Sequence, residues 1–170
     1  MERPTVCLAR RRLVAALPLP LLALAGAGAA AAAEPTVRWK DVRLIDGRVL
    51  RAAELRRQTV VVQMWASWCP FCMRQNPYIQ KLHEAGTGHG LQVLTFTIDK
   101  TEQEARDYMA RRGYTFPAAL ASTEVGQWFG ERRTLPEIYV VDPSGRIVFR
   151  EGGEMFPEDI AALMRFAARQ

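Results

Sequence analysis

Cys69 and Cys72 stand two residues apart in the run Met64-Trp65-Ala66-Ser67-Trp68-Cys69-Pro70-Phe71-Cys72. A pair at this spacing can be a staple, a metal clamp or a redox dithiol. As a staple it closes a loop of roughly four residues, worth only about 2 kcal/mol on the chain-entropy formula, so a bridge between distant segments would do more. A zinc clamp wants about four ligands. The other candidates are His83 and His89, which read as surface residues at the far end of a helix and in the glycine loop after it. Reversible thiol–disulfide chemistry fits the pair best. Its two sulfurs then have separate tasks: one attacks a disulfide and the other resolves the mixed disulfide that results.

Those tasks depend on the elements around the pair. TVVVQMW at 59–65 is β-branched and almost continuously apolar, the composition of a central strand buried on both faces. Residues 71–84 have helical composition, with Pro77 inside them as a source of a kink. Cys69 therefore falls where a buried strand gives way to the first turn of a helix. Unsatisfied N–H groups and a partial positive charge there favour a thiolate, and Pro70 suits that turn because its missing N–H costs nothing. This makes Cys69 the attacking thiol and Cys72, one turn in and partly covered, the resolving one.

The other elements follow from local patterns. Residues 42–50 alternate around Asp46-Gly47, as in a hairpin, and 52–57 form a short helical turn. LQVLTFTI at 91–98 is a second buried strand. Thr101 and Glu104 make a capping box for a helix ending at Gly113. Phe116-Pro117 opens a short extended piece, and 125–129 is a short helix. Residues 138–141 and 146–150 flank Asp142-Pro143-Ser144-Gly145 as a hairpin. An amphipathic helix over 157–168 follows. This order predicts an α/β sandwich with a mixed sheet, begun by a right-handed βαβ crossover.

The first 33 residues stand apart. Arg3, Arg10, Arg11 and Arg12 precede an apolar stretch at 13–24, and an alanine tract ends at Ala33 before Glu34-Pro35. This is the order of a secretory leader cleaved after Ala33. The stretch is short and broken by Pro18 and Pro20, where a permanent span wants roughly 20 apolar residues. An uncleaved anchor and a twin-arginine route are the variants of this reading. The chain of 170 residues carries 23 basic and 18 acidic side chains; the leader removes four arginines and Glu2, leaving 19 against 17. That near balance, without basic and aromatic residues interleaved, speaks against nucleic acid. Cys7 goes with the leader, so the exported product holds only the pair, in a compartment where disulfides persist.

WASWCPFC, Pro77 five residues after the second cysteine, and TLPEIYVVDPSGRIV together resemble the thioredoxin fold. They are more similar to its exported thiol–disulfide oxidoreductases of the TlpA/ResA type, from about Val42 onward. The resemblance implies one thioredoxin-like domain over 34–170: a mixed central sheet flanked by helices, with an added N-terminal β-hairpin. It implies that Leu135–Pro136 is cis and lies beside the dithiol. Leu135 would offer its backbone to an extended client segment, within an apolar rim of Trp68, Pro70, Phe71 and Pro136. Two departures stand out. Gln63 occupies the place of a buried Asp, and Gln75 that of a Glu found in several relatives. Neither amide takes a proton at neutral pH, so Glu137 or water is left as the base, with Gln75, which donates and accepts hydrogen bonds, a second candidate in the proton transfer.

No cofactor is implied beyond the Cys69–Cys72 disulfide, and no metal. The implied partners are disulfide-containing exported proteins and a membrane thiol donor, with the chain itself a monomer in the periplasm. Pro70-Phe71 offers nothing to stabilise a thiolate strongly. The couple is therefore expected to be reducing, nearer thioredoxin at about −270 mV than the oxidant DsbA at about −120 mV. Apocytochrome c is one client of suitable chemistry. The rival readings are a Cu(I) module using both thiolates and a disulfide-donating oxidase.

Overall fold

The computed structural model describes residues 36–167; the leader expected over 1–33 lies outside them. Five strands make one sheet: β3 (Thr59–Trp65), β4 (Leu91–Thr97), β5 (Ala118–Leu120), β6 (Glu137–Val141) and β7 (Ile147–Gly152). Their order is β5-β4-β3-β6-β7. β3 pairs parallel with β4, and β4 with β5, whereas β6 and β7 run antiparallel. Before the sheet, β1 (Val42–Arg43) and β2 (Val49–Leu50) form the expected hairpin, turned at Gly47 with a φ of 88°. The fold is thioredoxin-like.

Every residue of β3 is buried, as a strand with neighbours on both edges and packing on both faces requires. Its side chains alternate between two cores. Val61 and Trp65 face Ile79 and Leu82 of α2 (Pro70–Gly86), together with Tyr108 of α3 (Glu102–Arg112). Val60, Val62 and Met64 face the other way, onto Trp39, Phe96, Trp128 and Phe129. Trp65 is in the core, with its indole N–H bonded to Thr95 Oγ1 at 3.0 Å. Helix α3 begins at the Thr101–Glu104 capping box and stops at Gly113, in the left-handed region at φ 68°. Two short helices, α1 (Ala52–Leu55) and α4 (Thr123–Phe129), precede β3 and follow β5.

Some elements differ from expectation. The extended piece near Phe116 is a paired edge strand, β5, which starts at Ala118. The C-terminal helix is α5 (Pro157–Ala162) followed by a 3-10 turn at Leu163–Phe166. His83 is half-buried rather than on the surface. Among the described residues, no helix is long and apolar enough to cross a membrane.

Candidate active site

Cys69 is the N-cap of α2. Its backbone is extended, at φ −83° and ψ 115°, and its sulfur accepts the Cys72 N–H at 3.2 Å. The sulfur thus takes the place of the usual capping oxygen and satisfies one of the helix's free donors. Both cysteines are free thiols. Cys72 is fully buried, and that burial pushes its thiol well above the ordinary range, with the Cys69 sulfur beside it adding to the shift.

Cys69 is more covered than an attacking thiol at a helix mouth is expected to be. It is only 4% exposed, in an apolar cluster with Ala66 and Ile138 against which Leu135 packs. The rim is open: Trp68 is 61% and Phe71 52% exposed. Leu135–Pro136 is cis, with Pro136 buried and Leu135 half-buried.

The turn before Cys69 is held by Asp99, just past the end of β4 and absent from the candidates that motif and spacing suggest. Its carboxylate accepts the Ser67 N–H at 3.1 and 3.2 Å, the Ser67 hydroxyl at 2.9 Å and the Thr97 hydroxyl at 2.6 Å. One buried anion at the end of β4 therefore shapes the segment that delivers Cys69 to the start of α2. An Asp just after a strand and level with a Ser in the neighbouring turn is the pattern that could have revealed it.

Below the dithiol lies a chain of neutral amides. Gln75 and Asn76 share the buried face of α2 with Cys72, one turn further along. Gln75 Nε2 donates to Gln63 Oε1 at 2.8 Å, and Gln63 Nε2 donates to Asn76 Oδ1 at 2.8 Å. Asn76 Nδ2 donates to the Tyr108 hydroxyl at 3.2 Å, and Gln75 Oε1 accepts the Met155 N–H at 2.7 Å. The expectation that Gln75 moves a proton is corrected here. Both ends of its amide are engaged in fixed bonds, and it holds α2 against β3 and the segment before α5.

The structure also redirects Glu137. Strand parity turns it away from α2, to the face occupied by Tyr139 and Val141, while Ile138 faces the dithiol side. It is buried, and Oε1 accepts Arg150 Nε at 2.9 Å and Nη2 at 2.7 Å. It is a paired interior carboxylate on the far face of the sheet, not a base beneath Cys72.

A cation missed from the sequence lies nearby. Arg74 stacks on the Phe71 ring, 4.6 Å from its centroid, and donates to the Glu154 carboxylate through Nε and Nη2 at 2.6–3.1 Å. Its proton is held more tightly than usual, chiefly by Glu154, with a smaller electrostatic contribution from Cys69.

A capped sulfur, a buried sulfur three residues on and a cis-proline loop make a thiol–disulfide exchange centre. The Redoxin family model matches residues 30–163. The chain belongs to the Redoxin family. Among its relatives is the thiol-disulfide oxidoreductase ResA of Geobacillus thermodenitrificans, 26% identical over 117 residues, covering 68% of this chain and 67% of that one. Two solved structures share the fold. A thioredoxin-family thiol:disulfide interchange protein from Chlorobium tepidum superposes with a TM-score of 0.72 at 20% identity, over 79% of this chain and 96% of that one. StoA from Bacillus subtilis gives 0.66 at 22%, over 79% and 100%. This Redoxin-family chain is a thiol–disulfide oxidoreductase of the ResA type.

Proposed function

We propose that the protein is an exported dithiol reductase of other exported proteins. The observation that carries this reading is the unequal pair: Cys69 capping the helix and Cys72 sealed beneath it with its thiol pushed up by burial. A stabilised thiolate favours the reduced form, so a pair whose buried thiol resists ionisation gives up its electrons more readily. The leader-like residues 1–33 support export.

The exchange runs in two steps. The Cys69 thiolate attacks one sulfur of a client disulfide. A bond forms between Cys69 and that sulfur, the client S–S bond breaks, and the released client thiolate takes up a proton. Cys72 then gives up its proton and attacks Cys69 Sγ. The Cys69–Cys72 bond forms, the mixed disulfide breaks, and the second client sulfur leaves. Two electrons pass to the client, and a membrane thiol donor returns two to the protein. Trp68, Pro70, Phe71, Leu135 and Pro136 form the rim against which the client docks. Oxidised apocytochrome c, whose haem-attachment cysteines must be reduced, is one client this chemistry suits.

The test is trapping. Cys72→Ala is expected to accumulate mixed disulfides through Cys69, and Cys69→Ala to accumulate none. Equal trapping by the two variants would contradict the assigned roles.

A further inference from the structure

The dithiol reading explains Trp68 and Phe71 but leaves a more exposed apolar group without a task. Phe156, at the N-cap of α5, is 75% exposed, more than either of the rim aromatics. It borders a cleft of about 490 Å³ shared with Arg74, Tyr78, Glu154, Met155 and Pro157. Arg74 belongs both to this cleft and to the stack on Phe71, so the cleft continues the surface around Cys69.

The far wall is fixed from inside and outside. Gln75, fully buried, accepts the Met155 N–H, and its neighbour Arg74 holds the Glu154 carboxylate. The Phe156 carbonyl accepts the N–H groups of Asp159 and Ile160, each at 3.1 Å, which anchors its backbone to α5. Two successive residues of the dithiol helix thus clamp the segment that carries Phe156. The cleft is preformed, and such preformed walls lower the ordering cost of binding.

Its charge selects what it can take. Arg74 and Glu154 neutralise each other across the opening, and the remaining lining is Tyr78, Met155, Phe156 and Pro157. A charged side chain would find no free counter-charge there, whereas an apolar one finds rings and a thioether. On the other side of Phe156 a second cleft shares Met155 and Phe156 and adds Phe149, but it also carries Glu151, Glu154, Asp159 and Arg165, so charged groups make up more of its lining. Arg74 and Tyr78 follow Cys69 by five and nine residues. At helical rise that is about 7–13 Å, a distance spanned by roughly two to four residues of extended chain.

The geometry points to this cleft as a specificity pocket for an aromatic or large aliphatic side chain two to four residues from the client's disulfide cysteine, with Phe156 its determinant. This rests on the dithiol reading and names its substrate class: extended, non-native polypeptides, in which such side chains are exposed. A native client that buries its apolar residues would engage Cys69 without this contact.

Reduction rates of the full chain test it with three probes: glutathione disulfide, and two otherwise identical disulfide-bonded peptides carrying Phe or Ser three residues from a cysteine. The Phe peptide is expected to be reduced about tenfold faster than the Ser peptide, the scale of one partly buried ring. Phe156→Ser is expected to bring the two rates within about twofold of each other. An Asp at the peptide position should be at least as poor as Ser, a comparison that needs no protein variant. Equal Phe and Ser rates in the wild-type chain, or a preference that survives Phe156→Ser, would overturn the pocket while reduction of glutathione disulfide left the dithiol reading standing. Failure to reduce all three probes would overturn both. A dimer that Phe156→Ser dissolves would assign the cleft to a second copy of the chain and overturn the client pocket.

Discussion

At the scale of single residues, the account turns on Gln63, Gln75 and Asn76. Their amides form a proton-inert floor beneath Cys72. The titratable groups around it are all otherwise placed: Asp99 at the Ser67 turn, Tyr108 at the end of the amide chain, Glu137 on the opposite face. Resolution of a mixed disulfide should therefore speed up steadily with pH, because burial holds the Cys72 proton. Gln63→Glu should add an inflection to that profile at the pKa of the new carboxyl, read by stopped-flow release of client thiol. Gln63→Leu orphans the Gln75 and Asn76 partners and should cost about 2–5 kcal/mol in urea unfolding. His83 offers a second test. Desolvation depresses its pKa below the ordinary 6.5. The unfolded chain then binds the proton more readily than the fold does, so stability falls as pH drops from about 6.5 through the folded value, then levels off. His83→Gln should remove that part of the fall in urea midpoints measured between pH 8 and pH 5. That Gln63 and Gln75 lack a titratable proton is plain from composition. That they bond to each other is not, because it depends on which residues of β3 and α2 meet.

At the scale of elements, the strand-to-helix junction is held by one carboxylate. Asp99 gathers Ser67 and Thr97, so Asp99→Ala should loosen the turn ahead of Cys69. The expected loss is about 2–4 kcal/mol, since hydrogen bonds to a charged acceptor are among the stronger kind, with slower attack by Cys69 on a small disulfide. Thermal melts and reaction with an aromatic disulfide reagent check the two parts. Unaltered reactivity in a folded Asp99→Ala variant would remove Asp99 from the positioning of Cys69. Elements with strong local patterns were legible: β3 has the bounds of its β-branched run, and α3 starts and stops at its cap residues. The edge strand β5 was not, because Ala118-Ala119-Leu120 has no β-branched residue and is a strand only through its pairing with β4. Glu137 was misplaced for a related reason. It directly follows the cis-proline in sequence, but its side of the sheet is set by parity within β6.

At the scale of the whole molecule, the sheet's two cores divide the work. One core carries the dithiol, the amide chain and α2; the other, built on Trp39, Trp128, Phe129 and Tyr139, supports the sheet from behind. The mixed sheet and its helices were expected from the order of elements. The burial of Cys69 was not, since it depends on the packing of a core gathered from separate parts of the chain. A sulfur so enclosed reacts with partners that press onto the rim, which favours polypeptide clients over freely diffusing oxidants. The direction of electron flow is the central claim, and the reduction potential of the Cys69–Cys72 couple measures it. Equilibration of the full chain with glutathione buffers at pH 7 is expected to give a value near −270 mV, in the range of thioredoxin. A value above about −180 mV, the range of disulfide isomerases and oxidants, would contradict it.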